Sequence, residues 1–93
     1  MRISKQKRDR IIEQILTYLY QIFPKYPFTA EIAQEIARDE EFIKKILLDL
    51  KEKNIVIVIK KDSEGNPFSR RMRWKLSNKV YDVFHRQNLK SIN

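Results

Sequence analysis

Apolar residues recur near the start of the chain at Ile11, Ile12, Ile15, Leu16, Leu19, Ile22 and Phe23. That spacing lays one broad apolar stripe along a helix over residues 8–23, leaving Arg8, Arg10, Glu13, Gln14 and Thr17 on the other face. Pro24 and Pro27 end it, because each lacks an amide donor and disfavours helix in the residue before it. A second, short helix is predicted from Ala30 to about Arg38, capped by Thr29, with Glu31 near its positive end and Ile32, Ala33, Ile36 and Ala37 inward. Asp39 caps a third, running to about Lys53, whose apolar side is Ile43, Ile46, Leu47 and Leu50. Asn54 suits the left-handed residue that ends many helices.

The pattern then changes period. Residues 55–59 read Ile-Val-Ile-Val-Ile, a β-branched run that predicts a strand buried on both faces. A charged turn follows, in which Gly65 and Asn66 permit positive φ and Pro67 breaks pairing. Arg71, Arg73 and Lys75 then alternate with Met72, Trp74 and Leu76, the signature of a half-buried antiparallel strand returning along the first. Ser77 or Asn78 can cap a last helix over 78–88 through Val80, Tyr81, Val83 and Phe84. The four tyrosines show no periodic pattern of their own.

Two short helices joined by a tight turn and followed by a hairpin make a helix-turn-helix with a wing, an α+β arrangement. The residues Thr29-Ala30-Glu31-Ile32-Ala33, then Phe42 to Leu50, then Lys53-Asn54-Ile55-Val56, stand in the order of the family run T-x-E-I-A, recognition helix, K-G-L-V. Trp74-Lys75-Leu76-Ser77-Asn78-Lys79 is similar to the Y-x-L-T-x-x-G that leads from wing to last helix. On these residues the chain resembles the winged helix-turn-helix family of small MarR- and PadR-like regulators, over roughly residues 8–88. The resemblance implies a single winged-helix domain over 1–93: a basic arm (1–7), a helix-turn-helix (29–53), a wing hairpin (55–76) and a C-terminal helix (78–88). Two departures stand out. Ala37-Arg38-Asp39 replaces the family's Gly-Leu-Ser turn, and Val80 replaces the glycine after the wing.

Composition narrows the chemistry. With no Cys, one His and one Gly among 93 residues, thiolate metal sites, cysteine nucleophiles, histidine zinc sites and glycine-rich phosphate loops are excluded. No nucleophile–base pair is present, so a binding protein without a cofactor is expected rather than an enzyme. No apolar run approaches the roughly 20 residues of a membrane span, and the N-terminal stretch has no signal-peptide core. A cytoplasmic, nucleoid-associated protein with no membrane partner is therefore expected. Thirteen isoleucines fit either a thermophile or an AT-rich genome.

Net charge is +8, and its placement matters more than its size. Residues 1–10 carry five basic residues against one acidic, residues 11–54 six against eight, and residues 55–79 seven against two. Positive charge thus gathers on the arm (Arg2, Lys5, Lys7, Arg8, with Arg10 just beyond) and the wing (Lys60, Lys61, Arg70, Arg71, Arg73, Lys75). Wing cations can contact phosphates, the role the resemblance implies, or simply form a solvated face that discourages edge pairing. On the third helix the outer positions are Glu41, Lys45, Leu48 and Glu52, flanked by Lys44 and Asp49. In a major groove Glu41 could accept from cytosine, Lys44 or Lys45 donate to guanine, and Leu48 meet a thymine methyl. Alternatively Glu41 and Lys45, four apart, pair with each other.

Double-stranded DNA is the expected partner, bound by a small regulator acting as a homodimer through its first and last helices, with Ile11, Leu19, Tyr81 and Phe84 contributing. An interaction module docking on a protein of the replication or transcription machinery is the alternative, suggested by outward Leu48; structured RNA is a third ligand. His85 is expected at the surface or an interface, and Trp74 and Phe68 in packing rather than in base stacking.

Overall fold

The computed structural model describes residues 4–59 and 72–91 of the 93, with side chains through residue 89. The described residues form α1 (Lys5–Ile22), α2 (Thr29–Ile36), α3 (Glu40–Glu52), β1 (Val56–Ile59), β2 (Arg73–Leu76) and α4 (Asn78–Ser91), in the order the apolar pattern predicts. The turn with Gly65, Asn66, Pro67 and Phe68, the cations Lys60, Lys61, Arg70 and Arg71, and Arg2 of the arm lie outside the described residues.

Local hydrogen bonds set the boundaries. Ser4 Oγ accepts from the Lys7 amide at 3.2 Å, so α1 starts three residues before its apolar stripe. Lys5 and Lys7 are therefore helical, so residues 5–7 of the arm expected over 1–7 belong to α1. At the start of α2, Glu31 Oε1 accepts from the Phe28 amide at 3.0 Å. Phe28 takes the capping position, and Thr29, expected there, is the buried first residue of the helix. Asp39 does cap α3, accepting from the Phe42 amide at 3.1 Å. Ser77 Oγ accepts from the Val80 amide at 3.3 Å at the head of α4, which runs three residues past its expected end at 88.

Among the described residues, two that are not glycine take the left-handed conformation: Asn54 (φ 61°) at the end of α3, as expected, and Ala37 (φ 58°) between α2 and α3. Ala37 stands where the family pattern has glycine. The Arg38 amide still donates to Ala33 O at 3.0 Å, closing the turn without one.

The hairpin pairs Val56 with Leu76, Ile57 with Lys75, Val58 with Trp74 and Ile59 with Arg73. Val56, Trp74 and Leu76 face inward, while Ile57 keeps 39% of its surface exposed. The run at 55–59 is thus covered on one face, a correction to the expectation of burial on both. Its outer isoleucines lie across from the stems of Arg73 and Lys75, which suits β-branched residues in a strand without a second layer. Phe28 bridges to Arg73 on the far side of β2, and the Trp74 amide donates to Pro27 O at 3.0 Å, adding a short third edge.

One core joins all elements before α4: Ile11, Ile15 and Leu19 from α1, Ile32 and Ala33 from α2, Ile43, Ile46, Leu47 and Leu50 from α3, and Val56, Trp74 and Leu76 from the hairpin. Trp74 is its largest fully buried side chain, and its Nε1 donates to Thr29 Oγ1 at 2.8 Å. Thr29→Val keeps the volume but leaves the indole N–H without an acceptor, which should cost about 1–3 kcal/mol and lower the thermal midpoint by several degrees. A midpoint within about 1 °C of the parent would remove this bond from the account of stability. Ala37→Gly should act the other way, gaining about 0.5–1 kcal/mol by relieving a left-handed alanine. The same unfolding measurement would reject that strain if the midpoint stayed level or fell.

Candidate nucleic-acid interface

Burial of Ile43, Ile46, Leu47 and Leu50 sets the roll of α3 about its axis. Glu41, Lys45 and Leu48 are consequently exposed, and Lys44 is half-buried. Glu41 and Lys45 make no ion pair with each other; the charge contacts of this helix centre instead on Asp49. Asp49 Oδ2 accepts from Arg8 Nη2 at 2.8 Å and lies 3.3 Å from Lys53 Nζ. Hydrogen bonds from these two side chains, Arg8 first, hold the Asp49 carboxyl below its ordinary value of 3.8. Arg8 is therefore joined to α3 rather than carried on a loose arm. Nothing in the periodicity pairs these residues, which are 41 positions apart.

At the start of α1, Lys5 and Lys7 are exposed in a first turn that contains no acidic residue. The backbone already concentrates partial positive charge there, so cations in that turn oppose the helix and favour an external anion.

Of the wing cations, Arg73 and Lys75 are described, and both turn toward the chain ahead of α2. Arg73 Nη1 donates to Tyr26 O at 2.9 Å, and its guanidinium lies 3.9 Å above the centre of the Phe28 ring. Lys75 Nζ stands 6.0 Å from the centre of the Tyr26 ring, a loose contact beside the close Arg73 stack. The structure thus carries Glu41, Lys44, Lys45 and Leu48 on α3, joins Arg8 to the same helix through Asp49, and groups Arg73 and Lys75 on the outer face of the hairpin.

Three of the tyrosines gain roles that periodicity does not reveal. Besides Tyr26, Tyr20 and Tyr81 meet with ring centres 5.2 Å apart, and Phe23 and Phe84 complete a cluster between the end of α1 and α4. His85 stacks on Tyr81, and its Nδ1 lies 3.4 Å from the Tyr20 hydroxyl. Ile11 and Leu19, expected at a dimer interface, are instead buried in the core, which corrects that assignment. Phe23, in the cluster, and Val83 and Leu89, on α4, are exposed large apolar residues, with Tyr81 and Phe84 half-buried.

An open groove of about 490 Å³ runs between α1 and α2, lined by Arg10, Glu13, Thr17, Tyr18, Glu35 and Ile36 among others. Burial, and then the carboxylates of Glu35 and Glu31, push the Tyr18 hydroxyl above its usual range. Among the described residues, no helix is long and apolar enough to cross a membrane, and no group of three His, Asp or Glu side chains could hold a metal ion.

Solved structures share this arrangement. The S. aureus MepR–DNA complex matches with a TM-score of 0.63 at 22% identity, over 96% of this chain and 78% of that one. The Zalpha domain of Carassius auratus PKZ, solved in complex with Z-DNA, matches with a TM-score of 0.58 at 20% identity, over 75% of this chain and 97% of that one. A putative DNA-binding protein from Ralstonia eutropha matches with a TM-score of 0.63 at 14% identity, over 85% and 95% of the two chains. No protein-family model and no curated protein matches the sequence. At such identities the likeness is one of fold, and the fold is the winged helix-turn-helix.

The Asp49 ion pairs carry a pH dependence. A carboxyl held below its unfolded value stabilises the fold fully above about pH 3.8 and loses that contribution as pH falls through the lower folded value. Asp49→Asn should lower stability near neutral pH, and the gap to the parent should close as pH drops below 3.8. Urea midpoints at successive pH values test this; a gap unchanged by acid would mean that Asp49 acts through packing instead.

Proposed function

We propose that the protein binds double-stranded DNA, with α3 presented to the major groove and the basic wing and N-terminal segment docking on phosphates. The observation that carries this reading is a winged helix-turn-helix in a chain of net charge +8, with the positive charge concentrated in the sequence at residues 1–10 and 55–79, before and after the helix-turn-helix. Charge so placed neutralises backbone phosphates on either side of an inserted helix, while the helix itself needs little net charge to read bases. Exposed Lys5 and Lys7 at the positive end of α1 support the same reading, because they favour an anion there. Lys44, Lys45, Glu41 and Leu48 are the candidate base contacts, and Lys60, Lys61, Arg70, Arg71, Arg73, Lys75, Arg2 and Arg8 the candidate phosphate contacts. That MepR and the Zalpha domain are solved with DNA supports this choice of ligand.

The finer reading is a small transcriptional regulator acting as a homodimer, a symmetry that suits two half-sites on a duplex. Exposed Phe23 and Val83, with Tyr81 and Phe84, are the residues near α4 that a second copy would cover. Exposed Leu48 favours the second reading, an interaction module for a protein partner, since an apolar side chain there gains as much from a protein groove as from a thymine methyl.

Fluorescence anisotropy of a labelled mixed-sequence duplex, alone and with rising salt, tests the main reading. Affinity should fall at least about 100-fold between about 50 and 200 mM salt, and Lys75→Ala, which removes a candidate phosphate contact, should weaken binding and flatten the salt slope by about one unit. Absence of binding at about 50 mM by the folded protein would overturn DNA binding and leave the protein-partner reading. Sedimentation of the same preparation reads the oligomeric state; a monomer at all concentrations, free and on DNA, would remove the homodimer.

A further inference from the structure

Arg8 comes from α1 and Lys53 from the residue that ends α3, yet both converge on a single oxygen, Asp49 Oδ2, at 2.8 and 3.3 Å. Two cations from separate elements aimed at one anionic oxygen form the kind of contact a phosphodiester oxygen makes at a DNA-binding surface. We propose that Arg8 and Lys53 form a phosphate-binding clamp flanking the exposed face of α3, and that the Asp49 carboxylate occupies this clamp in the free protein and yields it to a backbone phosphate. The proposal rests on the DNA-binding reading and adds to it a named phosphate site and a side chain that restrains affinity.

Three observations support the exchange. First, the side chains of Arg8, Asp49 and Lys53 keep 37%, 35% and 59% of their surface exposed, so a phosphate can reach them without any opening of the core. Exposed ion pairs are held weakly, because water and salt compete for both partners. A carboxylate on a rotatable side chain can therefore give way to an anion that brings further contacts of its own. Second, Asp49 follows exposed Leu48 and lies one turn beyond Lys45, so the clamp adjoins the candidate base contacts. Third, Asp49 stands near the C-terminal end of α3, where the helix disfavours negative charge. The helix gains nothing from a carboxylate there except what Arg8 and Lys53 return.

A plain staple between α1 and α3 makes a different prediction from a clamp in competition with DNA. Asp49→Asn keeps the size of the side chain and removes the competing charge. If the clamp exists, D49N binds duplex DNA about 3–10-fold more tightly at about 100 mM salt, and its plot of log affinity against log salt steepens by about one unit per added phosphate contact. Arg8→Gln placed in the D49N background then returns the slope to that of the parent. A D49N slope equal to the parent's, with DNA binding intact in both, would overturn the clamp while leaving the DNA-binding reading in place.

A second readout needs no DNA. Inorganic phosphate titrated into the parent and D49N, followed by nitrogen-15 NMR of the Arg8 Nε–H group, should shift that signal in D49N at lower concentrations than in the parent. No shift in D49N up to about 50 mM phosphate would overturn the clamp even if the protein proved not to bind DNA.

Discussion

Trp74 sits wholly buried where the returning strand meets the first turn of α2, and the hydrogen bond from its indole nitrogen to Thr29 couples the wing to the helix-turn-helix. The backbone reinforces the junction, since the amide of the same residue donates to Pro27 O and Phe28 bridges to Arg73. From this point the chain runs through α2, the left-handed turn at Ala37, α3 and the left-handed turn at Asn54 into β1, which returns to β2 by pairing. The elements therefore form a closed circuit, and the orientation of the outer face of α3 relative to the hairpin follows from it. A change at Trp74 would disturb the hairpin and the orientation of α3 together, although Trp74 itself is wholly buried.

Charge along the helices follows two opposed rules. In α3, Glu40 and Glu41 occupy the first turn, where carboxylates strengthen a helix but repel a phosphate. In α1 the first turn holds lysines and no acid, so local stability is given up where an anion would be attracted. A protein selected only for stability would have no cause to order these two ends differently. The contrast leaves the first turn of α1 the better of the two for an anion, and the first turn of α3 the more stable.

Much of the fold was legible in the sequence because burial repeats with the period of each element. Ile43, Ile46, Leu47 and Leu50 located α3 and its roll, and Asp39 its first turn; alternation at 73–76 identified which face of β2 is buried, while Met72, placed on that face by the same alternation, lies ahead of the strand and is exposed. The misreadings arise where a residue's partner is distant in sequence. Thr29 looks like a cap, yet its hydroxyl serves an indole 45 positions away. Arg8 looks like a free cation, but Asp49 claims it across 41 positions. The isoleucine run promised two covered faces because β-branched residues suit a strand whether or not anything lies above it. For the candidate interface, residue identity located the exposed positions of α3, while the ion pairs that join it to α1 are a product of the tertiary arrangement.

Trp74 is also the sole tryptophan of the chain. An indole enclosed by apolar side chains emits at shorter wavelength than one in water, and excitation at the red edge of its absorption passes over the tyrosines. The natural protein therefore carries an optical reporter at the junction of wing and helix-turn-helix, with no label needed. Loosening of that junction, by an effector, a partner or a substitution elsewhere, would register as a change of colour before the chain as a whole unfolds.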